Sequence, residues 1–295
     1  MSGAPAFGDA ALRAIALVRN ELKNGICPMN AVALGPFVFS VHQAAALAGV
    51  FVFIAVTAVL AWRVDPVIGK WSSWALIAAL LAARAGHVAL HWDSFAAEPW
   101  RVFAFWQGGF QPIAGLVGAL LVSIFFIRSV KAGVAAAAAI GLSVLVAVAV
   151  TQLTRATLGQ AAPTFALEQM QGPPLAISAM AGKPVVVNLW ASWCPPCRRE
   201  MPLLAKVAAS RDDVVFLFVN QGEGTQAIRS YLASQHLELG HVLLDQSMQV
   251  PRHYRTVGLP TTLFLRADGT LADIHVGEVS PESLDAEISK LIGPT

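Results

Sequence analysis

The sequence has few charged residues: only 13% of its 295 residues are Asp, Glu, Lys or Arg, whereas a soluble domain has about 25%. Its net charge of +2 excludes the strongly basic surface of a nucleic-acid-binding protein. Because 56% of the residues are hydrophobic, the chain is neither disordered nor wholly soluble. Residues 1–159 carry 10 basic and 5 acidic side chains, whereas residues 160–295 carry 10 basic and 13 acidic ones. This split predicts a membrane domain followed by a soluble domain.

The first half contains four apolar segments near the length of about 20 residues that crosses a bilayer, at 37–62, 71–91, 112–127 and 133–153. The pair Gly108-Gly109 before the short third segment indicates a bent or re-entrant entry. The basic residues of the first and third connecting loops favour a cytoplasmic position for these loops. Four spans then place both termini outside. No signal peptide is predicted, and residues 9–23 are interpreted as an amphipathic helix on the membrane surface.

Polar side chains inside the predicted spans need an explanation because such groups are costly in a bilayer. They are His42, Gln43, Arg84, His87 and, at the end of its span, His91. Arg84 and His87 are three residues apart and therefore share one helix face. Two interpretations stay open. These polar groups form either a buried network that fixes helix packing or a pocket for an anionic lipid head group, with Arg84, His87 and His42 as the candidate contacts.

The motifs LGP at 34–36, ARAGHV at 83–88, WQGGF at 106–110 and GLVG at 115–118 give residues 33–125 a family resemblance. This part of the chain resembles prolipoprotein diacylglyceryl transferases, which transfer diacylglycerol from phosphatidylglycerol to a lipobox cysteine. The resemblance implies affinity for membrane phospholipid. The family has a histidine where Ile113 and Ala114 stand here, and His42 replaces its tyrosine. We therefore expect a degenerate relative without transferase activity.

The second half alternates short apolar runs with amphipathic stretches, which predicts an α/β fold in one domain. Strands are expected at 184–189, 214–219, 241–245, 262–266 and 271–276, and helices at 196–209, 225–235 and 281–292. Ser280 is the expected cap of the last helix, with Pro281 in its first turn.

Two of the three cysteines, Cys194 and Cys197, flank Pro195 and Pro196 between a predicted buried strand and a predicted helix. A helix start stabilises a thiolate at Cys194, and Cys197, one turn later, can resolve a mixed disulfide. A zinc site would need about four ligands, and the sequence has no second cysteine pair. A purely structural disulfide is the other alternative. The motif favours reversible disulfide chemistry with no cofactor and no metal.

The motifs APTF at 162–165, GKPVVVN at 182–188, WCPPC at 193–197 and GLPTT at 258–262 cover the second half. This half resembles the TlpA/ResA-like disulfide reductases of the thioredoxin superfamily. The resemblance implies a cis peptide bond before Pro260, which would present the backbone of Leu259 to an extended substrate. It also implies that Trp193, Pro195, Pro196 and Thr261 contact the substrate. Substrates would be proteins with disulfides or thiols.

Glu200 follows Cys197 by three residues, so it lies about one helical turn further on. TlpA/ResA-like proteins have a Glu here, and the resemblance implies that it accepts or relays the proton of Cys197. The alternative is an exposed Glu that pairs with Arg198 or Arg199. Thioredoxins carry a buried Asp where this sequence has Asn188, which cannot titrate.

The third cysteine, Cys27, precedes the first predicted span, and no cysteine lies within the spans. Cys27 is interpreted either as a small buried residue or as a thiol that pairs with Cys194. A DsbD/CcdA-type relay carries electrons through a cysteine pair inside the membrane. Since this chain lacks one, a separate thiol reductant, such as a DsbD/CcdA-type membrane protein, is expected as a partner.

Together these observations predict an α-helical membrane domain followed by an α/β thioredoxin-fold domain. The expected domains are an amphipathic segment at 1–32, a four-span membrane domain at 33–155 and a thioredoxin-like domain at 160–295. The predicted function is that of a protein-disulfide reductase at the bacterial inner membrane, with its thioredoxin domain in the periplasm. A disulfide oxidase or isomerase, and a lipid-binding scaffold with residual lipoprotein modification, are the alternatives.

Overall fold

The computed structural model describes residues 31–34, 37–154 and 158–293. It begins with an antiparallel hairpin of β1 (Ala31–Leu34) and β2 (Phe37–Ser40). The predicted amphipathic segment and Cys27 lie outside the described residues, as does the side chain of His42.

The hairpin leads into an α-helical domain. Its helices are α1 (Val41–Arg63), α2 (Val67–Leu90), the short α3 (Trp92–Ala97), α4 (Pro112–Phe126) and α5 (Val130–Thr154). Three of them, α1, α2 and α5, are long and apolar enough to cross a membrane. With 15 residues, α4 is about 22 Å long, shorter than the roughly 30 Å of a bilayer's hydrocarbon core. The four apolar helices of the sequence-based prediction are therefore present, but one of them does not reach the full span length.

Close helix packing depends on small residues. Helix α4 packs against α2, and α5 packs against α1. A methyl group on Gly118 would lie 2.7 Å from the carbonyl oxygen of Ala78, so only glycine permits this approach of α4 to α2. The buried indole of Trp71 donates a hydrogen bond to the hydroxyl of Ser123 at 2.9 Å. Steric fit and this hydrogen bond together join the two helices.

The connection between α2 and α4 folds back against α2. It contains α3 and two 3-10 turns, Pro99–Phe103 and Phe105–Gln107. The backbone N–H of Gln111 donates to the carbonyl oxygen of Ala83, about two turns below the end of α2. The chain therefore enters α4 below the end of α2, as a re-entrant segment would.

Arg84 organises this connection. Its guanidinium donates four hydrogen bonds to backbone carbonyl oxygens: to Arg101 at 2.5 Å, Gly108 at 2.7 Å, and Val102 and Gly109 at 3.0 Å. Buried backbone polar groups outside helices and strands need hydrogen-bond partners. The buried Arg84 supplies those partners, so one charged side chain and a turn of polar backbone satisfy each other.

The second domain is built on a seven-stranded mixed sheet. Its strands are β3 (Ala166–Gln169), β4 (Leu175–Ala176), β5 (Val185–Trp190), β6 (Val215–Gln221), β7 (His241–Asp245), β8 (Thr261–Leu265) and β9 (Leu271–Val276). They lie in the order β4-β3-β7-β6-β5-β8-β9. The central strands β5, β6 and β7 are parallel, whereas β8 and β9 are antiparallel to their neighbours. Helices α6 (Pro195–Ser210), α7 (Thr225–Ser234), α8 (Gln249–Tyr254) and α9 (Pro281–Ile292) complete the domain.

The central strands are hydrophobic on both faces because each face is covered. All six residues of β5 and all five of β8 are buried. The predicted helix cap is present, since the hydroxyl of Ser280 accepts a hydrogen bond from the backbone N–H of Ser283. The sequence-based prediction missed the strands β3 and β4, which lie at one side of the sheet, and the short helix α8. The predicted order of an α-helical membrane domain and an α/β thioredoxin-like domain is confirmed.

Candidate redox site

The candidate site lies at one edge of the sheet, where three chain segments meet. Leu189, near the end of β5, pairs with Thr261 at the start of β8. Thr261 in turn pairs with Val276 at the end of β9. The segment after β5, the segment before β8 and the segment after β9 are therefore neighbours. The strand order thus brings together residues that are about 60 to 80 positions apart in the sequence.

The two motif cysteines occupy the first of these segments. Cys194 and Cys197 form a disulfide with an S–S distance of 2.07 Å. Cys194 is the N-cap residue of α6, and its Sγ accepts a hydrogen bond from the backbone N–H of Cys197 at 3.3 Å. A thiolate formed on Cys194 upon reduction would sit where the helix dipole and this N–H stabilise negative charge. Cys197 lies deeper and is fully buried.

Glu200, one helical turn after Cys197 in α6, is buried, with 2% of its surface exposed, which excludes the alternative of an exposed Glu on the helix surface. One carboxylate oxygen, Oε1, accepts a hydrogen bond from the side-chain amide of Asn188 at 2.8 Å. The other, Oε2, accepts one from the backbone N–H of Val279 at 2.9 Å. Burial raises the pKa of Glu200 to about 8, although these two hydrogen bonds act in the opposite direction. Its carboxyl group is therefore mostly protonated at neutral pH and ready to exchange a proton there.

A second carboxylate supports the loop before the cysteines. Glu223 accepts hydrogen bonds from the backbone N–H of Ser192 at 2.7 Å and from its hydroxyl at 2.5 Å. It also accepts one from the side-chain amide of Asn220 at 2.7 Å. The sequence-based prediction missed Glu223, and its position shortly after a buried strand was the only available signal.

The second segment contains the proline implied by the family resemblance. The Leu259–Pro260 peptide bond is cis. The carbonyl oxygen of Pro260 accepts a hydrogen bond from the backbone N–H of Gly277, which ties the second segment to the third at 2.9 Å. Thr261 is fully buried and its hydroxyl donates to the carbonyl oxygen of Gly258. Both Leu259 and Thr261 were predicted to contact a substrate. The buried side chain of Thr261 holds the turn from inside, whereas Leu259 is partly accessible.

The other predicted substrate contacts surround the disulfide. Trp193 is 46% exposed and Pro195 is exposed, whereas Pro196 is half-buried. The predicted lipid-contact residues Arg84 and His87 lie in α2 and do not join this site. Among the described residues, no group of three or more His, Cys, Asp or Glu side chains could hold a metal ion.

Comparisons with known proteins agree with the division of the chain into a helical domain and an α/β domain. A Redoxin family model matches residues 157–291, and a prolipoprotein diacylglyceryl transferase model matches residues 29–156. Thiol-disulfide oxidoreductase ResA of Bacillus subtilis is 32% identical over 138 residues, which cover 46% of this chain and 76% of ResA. Thioredoxin-like protein YneN of the same organism is 30% identical over 134 residues, which cover 44% of this chain and 78% of YneN.

Among solved structures, a secreted Mycobacterium tuberculosis disulfide oxidoreductase homologous to E. coli DsbE matches with 28% identity and a TM-score of 0.39. The match covers 43% of this chain and 96% of that one. The apolar helices and the transferase-type match indicate a membrane protein. Thioredoxin-like oxidoreductases act on protein thiols and disulfides through a redox-active cysteine pair. The chain belongs to the thioredoxin-like, ResA-type thiol-disulfide oxidoreductases, fused here to a domain of the prolipoprotein diacylglyceryl transferase family.

Proposed function

We propose that this protein is a membrane-anchored periplasmic reductase of protein disulfides. The observation that carries the proposal is the Cys194–Cys197 pair at the start of α6, together with the buried carboxyl group of Glu200 on the same helix. A proton acceptor whose pKa is about 8 is well matched to a thiol of ordinary pKa, about 8.5.

In the first step, the reduced protein attacks a substrate disulfide. The Cys194 thiolate forms a bond with one substrate sulfur, and the substrate S–S bond breaks to release the other sulfur as a thiolate. Cys194 acts as the nucleophile because it caps the helix and is the less deeply buried of the two. The product of this step is a mixed disulfide between Cys194 and the substrate.

In the second step, Cys197 resolves the mixed disulfide. The fraction of Glu200 that is ionised takes the proton from the Cys197 thiol, and the resulting thiolate attacks Sγ of Cys194. The bond between Cys194 and the substrate breaks, and the second substrate thiolate leaves and takes up the proton through Glu200 or solvent. The substrate gains two electrons, and the protein is left with the Cys194–Cys197 disulfide.

The substrate is expected to bind as an extended strand beside Pro260. The backbone of Leu259 would pair with it, and Trp193, Pro195 and Pro196 would contact it around the disulfide. Exposure of Trp193 and Pro195 supports this arrangement, whereas Thr261 contributes by holding the turn. An external dithiol, from a protein of the DsbD/CcdA type, would return the disulfide to the dithiol.

The membrane domain is proposed to serve as an anchor, without diacylglyceryl transfer. The proposed lipid head-group contact at Arg84, His87 and His42 stays a prediction, and four N–H donors of Arg84 already have backbone acceptors. Phospholipid that co-purifies with the wild type and is lost in Arg84→Ala would favour the lipid contact. Wild-type protein that purifies free of phospholipid would count against the contact.

Two measurements test the reductase proposal. Cys197→Ala should accumulate a mixed disulfide on Cys194, and mass spectrometry of the trapped complex identifies the substrate, with Cys194→Ala as the matched control. The reduction potential should lie near the roughly −270 mV of thioredoxin. A potential near the roughly −120 mV of DsbA would instead indicate a disulfide oxidase.

A further inference from the structure

The two domains are joined by a buried ion pair. The guanidinium Nη2 of Arg101, in the connection between α2 and α4, lies 2.8 Å from Oε2 of Glu282 in α9, and both side chains are buried. The hydroxyl of Ser94 donates to the other carboxylate oxygen of Glu282, and Arg101 donates to Ser94 at 3.1 Å. Burial alone would raise the pKa of Glu282, but the hydrogen bonds from Arg101 and Ser94 outweigh it and lower the pKa to about 2. The contact is therefore a closed network of charged and polar groups.

A second contact between the domains adjoins the redox site. The side-chain amide of Gln107 donates to Oε1 of Glu278 at 2.8 Å. Oε2 of Glu278 accepts a hydrogen bond from Arg199, the neighbour of Glu200 in α6, at 2.8 Å. The residue after Glu278 is Val279, whose N–H holds the Glu200 carboxyl group. The membrane domain thus contacts the third segment of the redox site itself.

The strand order determines how far the cysteines lie from this contact. Glu278 and Glu282 follow β9, which is the edge strand, and β9 is followed across the sheet by β8 and β5. Adjacent strands are about 4.8 Å apart, so the end of β5 lies about 10 Å from the end of β9, which Glu278 and Glu282 follow. The hairpin strand β2 also lies against β9. The cysteine loop after β5 is therefore held close to the membrane domain.

The connection between α2 and α4, which carries Ser94, Arg101 and Gln107, belongs at the bilayer surface. It follows the end of α2 and contains the exposed aromatic side chains Trp92, Trp100 and Phe103, with exposures of 63%, 57% and 72%. Tryptophan and other aromatic residues are enriched at the membrane–water interface. The contact of this segment with Glu278 and Glu282 consequently brings the redox site near that interface.

We propose that the docked arrangement holds the redox site at the membrane surface, so that its substrates are disulfide-bearing proteins anchored in the same membrane. The proposal rests on the reductase function given above and specifies its substrate class. A substrate confined to the same bilayer meets the fixed site at a high effective concentration. Loss of docking leaves the redox domain attached only through the chain after α5, and the alignment with the surface is lost.

The test uses the full chain in nanodiscs, reduced beforehand and followed through a single turnover. The substrates are one fluorescent disulfide peptide in two forms, soluble and carrying an acyl chain that inserts into the same nanodisc. Arg101→Met removes the charge that pairs with Glu282, which should weaken docking on the order of 100-fold. Arg229→Met, which changes an exposed arginine on α7, is the matched control. Hydrogen exchange of residues 277–292 reports docking independently of activity.

We expect the ratio of anchored to soluble rates to fall about tenfold in Arg101→Met, with the rate for the soluble peptide preserved and exchange at 277–292 increased. Glu282→Gln should act in the same way, which guards against misfolding of one variant. An unchanged ratio despite increased exchange would overturn the proposal, as would unchanged exchange in both variants. If the wild type reduces neither peptide, the reductase function itself is refuted, whatever the exchange shows.

Discussion

Replacing the buried carboxyl group of Glu200 should change how the stability of the redox domain depends on pH. In Glu200→Gln the side chain keeps its shape but cannot titrate. The variant should fold, because the buried Oδ1 of Asn188 has no hydrogen-bond partner among the described residues and can accept from the new amide after rotation of the Asn188 side chain. The variant therefore isolates the effect of the proton.

The sign and size of the effect follow from the pKa of Glu200. Its ordinary pKa of 4.5 rises to about 8 in the folded protein. Below pH 4.5 the folded and the unfolded protein both hold the proton, so Glu200 does not make the free energy of unfolding depend on pH. Between pH 4.5 and 8 the unfolded chain releases its proton first, so the free energy of unfolding of the wild type falls as pH rises. The full difference is roughly 5 kcal/mol, of which roughly 3 kcal/mol falls between pH 5 and pH 8.

The assay is hydrogen exchange of the β5 and β8 amides in the oxidised full chain from pH 5 to pH 8, corrected for intrinsic exchange. Relative to Glu200→Gln, the free energy of opening of the wild type should fall by roughly 3 kcal/mol as pH rises from 5 to 8. Glu238→Gln, which changes an exposed carboxylate of the same domain, should follow the wild type. Parallel curves for the wild type and Glu200→Gln would refute the raised pKa and weaken the proton-relay role.

Three further predictions test other parts of the structure. Asn188→Asp places a second carboxyl group beside Oε1 of Glu200, and the two groups cannot both ionise easily. The pH profile of disulfide exchange, measured with a peptide disulfide, should therefore move upward by about one pH unit or more. An unmoved profile would contradict this. Gly118→Ala should lower the free energy of unfolding by about 1 to 3 kcal/mol in a detergent melting assay, because the new methyl group meets the Ala78 carbonyl. Gly141→Ala, where the methyl group enters open space, should not lower it. Equal melting of the two variants would argue against the α2–α4 packing. Since the pKa of Glu282 is lowered from 4.5 to about 2, its contribution to docking is complete above pH 4.5, declines as pH falls below that value and is lost below about pH 2. Exchange at 277–292 that does not rise between pH 4.5 and pH 2 would show that Glu282 is not paired with Arg101.

Local sequence patterns were sufficient for the chemistry of the redox domain. The spacing of Cys194 and Cys197 between a buried strand and a helix predicted the disulfide site, because the strand end, the cysteines and the helix start all lie within a few residues of one another. The apolar runs predicted the membrane helices for the same reason, since length and hydropathy are local properties. The cap at Ser280 was likewise readable from neighbouring residues.

Side-chain environments were beyond these patterns. Spacing alone left Glu200 either buried or exposed, and its burial depends on Val279, 79 residues away, and on the strand pairing that places β9 near β5. For Glu223 the sequence offered only its position after a buried strand, because its partner Ser192 follows a different strand, 31 residues earlier. Arg84 was recognised as unusual, but its four carbonyl acceptors became visible only once the connection to α4 had folded back onto α2.

Hydrophobic periodicity and motif spacing act within a few residues, so they sufficed to predict two domains, their fold classes and the pair of cysteines that carries out the chemistry. The groups that surround that pair, and the surface on which the redox domain rests, depend on contacts between distant parts of the chain. The Arg101–Glu282 ion pair joins residues 181 positions apart, and no local pattern specifies such a partner. It exists because each buried charge requires its counter-charge, and only the packing of the two domains brings the two together.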